Sequence, residues 1–87
     1  MTAAGTPSDD ASHLLVVDDD TRIRDLLNRY LMAEGFRVTV AGDADEARRK
    51  LRGLDFDLIV MDVMMPGESG LSLTKSLREI RPVPILM

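Results

Sequence analysis

Two apolar segments of the sequence are each followed directly by aspartate, a residue type that can ligate metals or attack phosphorus. Asp18, Asp19 and Asp20 follow the first segment, and Asp62 follows the second. Two carboxylates about 4 Å apart repel each other by about 4 kcal/mol at an effective dielectric of about 20. Carboxylates that converge in this way therefore either take up a proton more readily or hold a cation.

The kind of ligand atom indicates which cation such a site would hold. Carboxylates supplemented by water and phosphate oxygens are typical of magnesium. An aspartate beside the metal can also act as a nucleophile and take a phosphoryl group, while the metal neutralises the transferred oxygens. Asp62 stands alone after its segment and is the candidate nucleophile, whereas Asp18 and Asp19 form a pair that can hold the metal.

The apolar residues alternate between two periods, which predicts alternating strands and helices. Strands are predicted over four short segments: 13–17, 36–40, 57–61 and 83–87. Three of them are largely apolar, whereas 36–40 alternates apolar with polar residues, which predicts a strand near an edge of the sheet. The segments between the strands carry apolar residues at helical spacing, which predicts one inward-facing apolar stripe on each helix: Ile23, Leu26, Leu27, Tyr30 and Leu31, then Ala47, Leu51 and Leu54, then Leu73, Leu77 and Ile80. Asp20 or Thr21 can begin the first helix, Gly35 can end it, and Asp43 with Glu46 resembles a capping box.

This order, β-α-β-α-β-α-β with short connections, predicts an α/β fold in which a doubly wound parallel sheet has helices on both faces. In such sheets ligands bind outside the carboxyl ends of the strands, where the strand order reverses. If the first and third strands are neighbours, their aspartates meet there. We expect residues 1–12, which are small and polar, to form a flexible tail before a single domain over 13–87.

Composition narrows the class of protein further. The 87 residues are 45% hydrophobic and 30% charged, with a net charge of −4. This balance is globular, and the acidic charge argues against direct binding of nucleic acid, which requires a basic face. The chain has no cysteine, so disulfide scaffolds and cysteine-ligated zinc are excluded. No apolar run approaches the length of a membrane span and no secretory signal is evident, so a cytoplasmic location is the default expectation.

Two segments of the sequence resemble the receiver domain of two-component response regulators. They are Val-Val-Asp-Asp-Asp at 16–20 and Asp-Leu-Ile-Val-Met-Asp-Val-Met-Met-Pro-Gly-Glu-Ser-Gly at 57–70. The resemblance continues in register over 13–87 and implies the flavodoxin-like (CheY-like) fold. The stretch 64–73 is most similar to the OmpR/PhoB-like subclass, whose members regulate transcription through a separate DNA-binding domain.

The resemblance implies a role for each acidic residue. Asp62 would accept a phosphoryl group from a sensor histidine kinase or a phosphotransfer protein, which makes the chain a phosphoacceptor rather than an enzyme. Asp19, Asp62 and the backbone carbonyl of Met64 would ligate Mg²⁺, and Asp18 would act through water. Arg22 and Arg24, beside the acids, are candidates for contacting the kinase.

The sequence also departs from the family pattern. Receivers have five strands and five helices, and this chain reaches only the fourth predicted strand. The family's switch hydroxyl follows that strand and its lysine follows the fifth, so we expect neither position within these 87 residues. We therefore expect an N-terminal portion of a receiver whose open fourth strand favours a homodimer or segment-exchanged oligomer.

Two other functions remain open from the sequence. Asp18-Asp19-Asp20 also fits the first acids of a haloacid-dehalogenase-type phosphatase, although that family has glycine and threonine next, where this chain has Thr21 and Arg22. A non-phosphorylated interaction module on the receiver fold is the second alternative.

Residues outside the acidic group are expected to serve the structure or the solvated surface. His13 is predicted to be solvated, and a basic run on the second helix is predicted to form a solvated face: Arg48, Arg49, Lys50 and Arg52.

Overall fold

A computed structural model describes residues 11–65 and 67–87. The tail predicted over 1–12 lies almost entirely outside these residues. In the described part of the chain, seven elements follow one another in the order that the sequence predicts. They are β1 (His13–Val17), α1 (Thr21–Ala33), β2 (Arg37–Ala41), α2 (Ala44–Gly53), β3 (Leu58–Met61), α3 (Gly70–Ile80) and β4 (Ile85–Leu86). The fourth strand is shorter than the predicted segment 83–87.

The four strands form one parallel sheet in the order β2-β1-β3-β4. β1 lies inside the sheet because Leu14 to Val17 are apolar on both sides, and all four are buried. β2 lies at an edge, as its alternating polar residues predict. The strand order reverses between β1 and β3, which are direct neighbours. The carboxyl ends of β1 and β3 therefore meet at the switch point where α/β sheets bind ligands.

The main core lies on the sheet face covered by α2 and α3. Leu15 and Ile59 from the strands pack there with Leu51, Leu73 and Leu77 from the helices, and all five are fully buried. This burial explains why α2 and α3 dock on the sheet, since each buried leucine contributes about 1.5–3 kcal/mol.

The other face of the sheet carries α1, which packs against β2 and β1. The sequence predicts that its whole apolar stripe faces inward, and this is wrong in part. Leu26 and Tyr30 are each 60% exposed and Ile23 is 42% exposed, while Leu27 and Leu31 are half-buried. The physical reason is that α1 packs against β2 and β1 at one side of the sheet. Only the part of its apolar stripe that carries Leu27 and Leu31 therefore reaches the strands.

Side-chain caps begin the helices at the predicted positions. The Asp20 carboxylate accepts from the Arg22 amide at the start of α1, and the Asp43 carboxylate accepts from the Glu46 amide at the start of α2. The Glu46 carboxylate in turn accepts from the Gly42 amide at 2.8 Å, one residue earlier than a standard capping box. These caps fix where each loop at the carboxyl end of the sheet turns into a helix.

Two further predictions about side chains are wrong. Leu54, predicted to point inward, is 42% exposed because α2 ends at Gly53 and the chain becomes extended. His13 is partly buried: its Nε2 lies 2.7 Å from Thr39 Oγ1 and its ring packs 4.5 Å from the Phe56 ring. This burial lowers the pKa of His13, with the nearby charge of Arg37 as a second cause. Among the described residues, no helix is long and apolar enough to cross a membrane.

Candidate metal and phosphoacceptor site

The acidic cluster lies at the carboxyl ends of β1 and β3. Parallel pairing places Val17 beside Met61, so the residues that follow both strands leave the sheet side by side. The Asp62 amide donates to the Val17 carbonyl at 2.9 Å, which extends the pairing by one residue. As a result Asp18, Asp19 and Asp62 each offer a carboxylate oxygen, and these oxygens lie within 4.8 Å of one another. Asp19 is exposed, whereas Asp18 and Asp62 are half-buried.

Asp20, the third acid of the run, serves the helix instead. Its carboxylate accepts from the Arg22 amide at 2.9 Å, and this hydrogen bond is the main reason why the pKa of Asp20 lies below its usual value. The Asp20 amide donates to the Asp18 carboxylate at 2.9 Å, which orients that carboxylate within the cluster. The structure therefore separates a helix-capping acid from the two acids that face Asp62.

The loop after Asp62 is held at both of its ends. The Met64 amide donates to the Asp62 carboxylate at 3.0 Å, and the Gly70 amide donates to the Val63 carbonyl at 3.0 Å. The Met64 side chain is 84% exposed. The carboxylate of Asp62 is thus oriented by the backbone that comes after it. Ligation by the Met64 carbonyl stays a prediction.

An ion pair also ties this loop to α2, which corrects the prediction that Arg48 is a solvated residue. Arg48 donates from Nη2 to both carboxylate oxygens of Glu68, at 2.6 and 2.7 Å, and from Nε to Ser76 Oγ at 2.9 Å. Hydrogen bonding raises the pKa of Arg48 and lowers that of Glu68. Arg48 therefore bridges α2, the loop and α3, while its neighbour Arg49 is exposed.

The two arginines predicted to contact a kinase differ in their surroundings. The Arg22 side chain is 92% exposed, and its Nε lies 3.6 Å from the Asp20 carboxylate. Arg24 turns back into the protein, where its Nη1 donates to the Asp18 carbonyl at 2.7 Å and its Nη2 donates to Thr21 Oγ1 at 3.2 Å. Of the two, Arg22 is the one whose charge faces solvent.

The donor set of the cluster suits Mg²⁺. All three side chains supply carboxylate oxygen, the ligand that a small hard cation prefers, and their spacing allows one ion to be reached from each. Three negative charges within this distance also repel one another, so a divalent cation would relieve the repulsion. Exposure of Asp19 leaves one side of the cluster open to solvent.

The fold, the strand order and the acids at the switch point define a receiver-type α/β domain. The sequence model of the response regulator receiver domain matches residues 14–87, and the chain belongs to this family.

Two curated relatives carry similar sequences. Protein PetR of Rhodobacter capsulatus is 61% identical over 75 residues, a region that covers 86% of this chain and 32% of PetR. The transcriptional regulatory protein ResD of Bacillus subtilis is 43% identical over 74 residues, covering 85% of this chain and 31% of ResD. The chain thus spans about a third of the length of these relatives.

A solved structure gives the same architecture. The response regulator TrrA of Thermotoga maritima, determined with Mg²⁺ and BeF, superposes with a TM-score of 0.79 at 36% identity, covering 85% of this chain and 65% of TrrA. TrrA has also been solved in complex with the histidine kinase ThkA. This likeness confirms the CheY-like fold predicted from the sequence.

Several residues that shape the site could not be recognised from the sequence. Arg48 and Glu68 are 20 positions apart, and no local pattern links them. Arg24 lies six residues after Asp18, which places it nearby but does not indicate that it bonds a backbone carbonyl. Met65, which lies in the loop after Asp62, is buried in the main core.

Proposed function

We propose that the chain is the phosphoacceptor module of a two-component response regulator, which takes a phosphoryl group onto Asp62 with the help of Mg²⁺. The observation that carries this proposal is the convergence of three carboxylates, from two neighbouring strands, within 4.8 Å at the switch point of the sheet. Helix capping accounts for Asp20 but gives no reason for Asp62 to lie beside Asp18 and Asp19.

Each residue of the cluster has a distinct role in this proposal. Asp19, Asp62 and the Met64 carbonyl would hold Mg²⁺, and Asp18 would act through water. When bound, the metal supplies positive charge that balances the oxygens of the transferred phosphoryl group. A carboxylate oxygen of Asp62 attacks phosphorus, the phosphorus–nitrogen bond to the donor histidine breaks, and that nitrogen keeps the bonding electron pair. The Met64 amide donates to one Asp62 oxygen, and in this proposal the other oxygen makes the attack.

The partners follow from the same chemistry. The donor is a sensor histidine kinase or a phosphotransfer protein, and the complex of TrrA with the kinase ThkA supports this choice. Arg22, which is exposed and lies next to Asp20, is our candidate for contact with such a donor. The output is transcription through a DNA-binding domain of the OmpR/PhoB-like subclass, in line with the transcriptional role in the name of ResD. We place the module in the cytoplasm, with a homodimer or segment-exchanged oligomer as a further assembly.

Neither alternative function gains support from an observation. A haloacid-dehalogenase-type phosphatase needs the first and third acids of the run at its site, and here Asp20 caps α1. A module that is never phosphorylated would not need three converging acids, and all three are present. The proposal therefore includes the prediction that the chain is not an enzyme with turnover of its own.

A magnesium titration followed by backbone amide shifts tests the proposal. We expect saturable shifts around Asp62 and Asp19, which Asp19→Asn abolishes. Asp25→Asn is the matched control, because Asp25 is an exposed acid of α1 outside the cluster. Equal effects of the two substitutions would contradict the assignment of the site.

A further inference from the structure

Arg24 makes a contact with the acidic loop that has no part in the proposed phosphoryl transfer. Its Nη1 lies 2.7 Å from the backbone carbonyl of Asp18, the first residue after β1. The Asp18 amide still bonds across the sheet to the Ala41 carbonyl at 3.1 Å. The amide of Asp18 is thus still paired within the sheet, whereas its carbonyl bonds to the guanidinium of Arg24.

The hydrogen bond from Arg24 restrains the peptide that joins two of the three clustered acids. The carbonyl of Asp18 belongs to the planar peptide that joins Asp18 to Asp19. Holding this peptide plane limits the rotation of the backbone on the Cα of both residues, so it sets the directions in which both carboxylates leave the chain. Hydrogen bonds from an ionised donor are about twice as strong as those between neutral groups, so one guanidinium can fix the plane.

The surroundings of Arg24 hold its side chain in this orientation. Nη2 donates to Thr21 Oγ1 at 3.2 Å, which anchors the guanidinium to the first turn of α1. On its other side lies Gly42, where an added Cβ would come within 2.9 Å of Nη1 and 3.3 Å of Cζ. The guanidinium thus occupies space that any side chain at position 42 would need.

We propose that Arg24 is a positioning residue for the metal site: it holds the Asp18–Asp19 peptide so that both carboxylates face Asp62 before Mg²⁺ arrives. The inference rests on the proposed function, since it assumes that these acids bind Mg²⁺. The charge of the guanidinium also offsets part of the repulsion among the three acids, which would otherwise drive the loop away from Asp62. Arg24 touches neither metal nor phosphate and acts through the backbone.

Two substitutions disturb this contact from opposite sides. Arg24→Met removes the donors and keeps the aliphatic stem, whereas Gly42→Ala keeps the arginine and places a methyl group where the guanidinium lies. Each has a matched control in the same chain. Arg29→Met changes an exposed arginine of the same helix, and Gly53→Ala adds a methyl group where nothing lies within 4 Å.

The affinity for Mg²⁺, measured by amide shifts on the whole chain, is the primary readout. We expect about tenfold weaker binding for Arg24→Met and for Gly42→Ala, the size of effect that accompanies loss of a group supporting a metal ligand. The controls should bind as the wild type does. Because both substitutions break one contact, the double variant should bind no more weakly than either single variant.

A second readout separates positioning from a general loss of structure. The ¹³C shift of the Asp18 carbonyl should move in Arg24→Met and in Gly42→Ala, in the absence of metal, while thermal unfolding stays cooperative. Arg24→Lys, whose ammonium can still donate to that carbonyl, should recover part of the affinity. Wild-type affinity in both Arg24→Met and Gly42→Ala would overturn the inference and leave the metal site standing. A wild-type chain that does not bind Mg²⁺ would overturn the proposed function together with this inference.

Discussion

Replacing Gly70 with alanine should distort the loop that comes after the phosphoacceptor. Gly70 is the first residue of α3, and a Cβ at this position would lie 2.6 Å from the Val63 Cα and 3.1 Å from the Asp62 carbonyl oxygen. Both are main-chain atoms, and the hydrogen bond from the Gly70 amide to the Val63 carbonyl ties them to the helix. They cannot move aside as the end of a flexible side chain would, so the added methyl group must displace the loop or the helix.

The size of the effect can be worked out from this geometry. Forcing an extra carbon into a packed site costs about 1–3 kcal/mol, and a contact of 2.6 Å with backbone places Gly70→Ala at the upper end. Alanine regains at most about 0.5–1 kcal/mol over glycine, the value for the middle of a helix, because Gly70 is the first helical residue. We therefore expect a net loss of about 2 kcal/mol in the free energy of unfolding. For a domain of this size the melting temperature should fall by about 8–16 °C.

Thermal unfolding followed by circular dichroism measures this change directly. The matched control is Gly53→Ala, because position 53 closes α2 and an added Cβ there has nothing within 4 Å. The control should melt at the wild-type temperature or slightly above it. If Gly70→Ala melted at or above the wild-type temperature, the loop would not be held against α3 by this close backbone contact.

Three further predictions concern other parts of the molecule. Burial lowers the pKa of His13 below its unfolded value of about 6.5. As the pH falls, the unfolded chain therefore takes up a proton on His13 before the folded chain does. The contribution of His13 to stability is therefore complete above about pH 6.5 and is lost as the pH falls below that value. Urea unfolding midpoints measured at several pH values should show this loss, and the substitution His13→Gln should remove this pH dependence. If the ion pair between Arg48 and Glu68 holds the loop before α3, Arg48→Ala should speed amide hydrogen exchange in that loop. The charge swap Arg48→Glu with Glu68→Arg should then restore protection, and no recovery in the swapped variant would refute this role of the ion pair. Leu86 in the edge strand β4 is 59% exposed, and Met87, which follows it, is 53% exposed. The weight-average mass of the 87-residue chain in sedimentation should therefore rise with concentration, whereas a constant monomer mass would count against association through this edge.

The fold and the acidic cluster could be predicted from the sequence because their signals are local. A buried strand that ends abruptly at an aspartate marks its own carboxyl end, as at Val17 and Met61. Parallel strands then bring those ends to one edge of the sheet, and helical spacing identifies Leu51 and Leu73 as core residues. Each of these inferences depends on residues close together in the chain and on general rules for parallel sheets.

The contacts that support the site could not be predicted, because they join residues far apart in the chain. The pairing of Arg48 with Glu68 depends on how α2 packs beside α3. The burial of His13 depends on Phe56 and Thr39, which reach it from other elements. For the same reason the apolar spacing of α1 did not reveal that Leu26 would be exposed, since it cannot indicate how much of the sheet the helix covers.

Phosphoryl transfer onto Asp62 is the most direct test of the central claim. The chain, and any longer protein that contains it, is incubated with a small acyl-phosphate donor or a phosphorylated histidine kinase in the presence of Mg²⁺. The modified residue is then located by peptide mass spectrometry. We predict one phosphoryl group on Asp62, lost in Asp62→Asn, because an amide cannot act as the nucleophile, and lost when Mg²⁺ is chelated. Phosphate found on Asp18 or on a serine, or transfer that survives Asp62→Asn, would contradict the account.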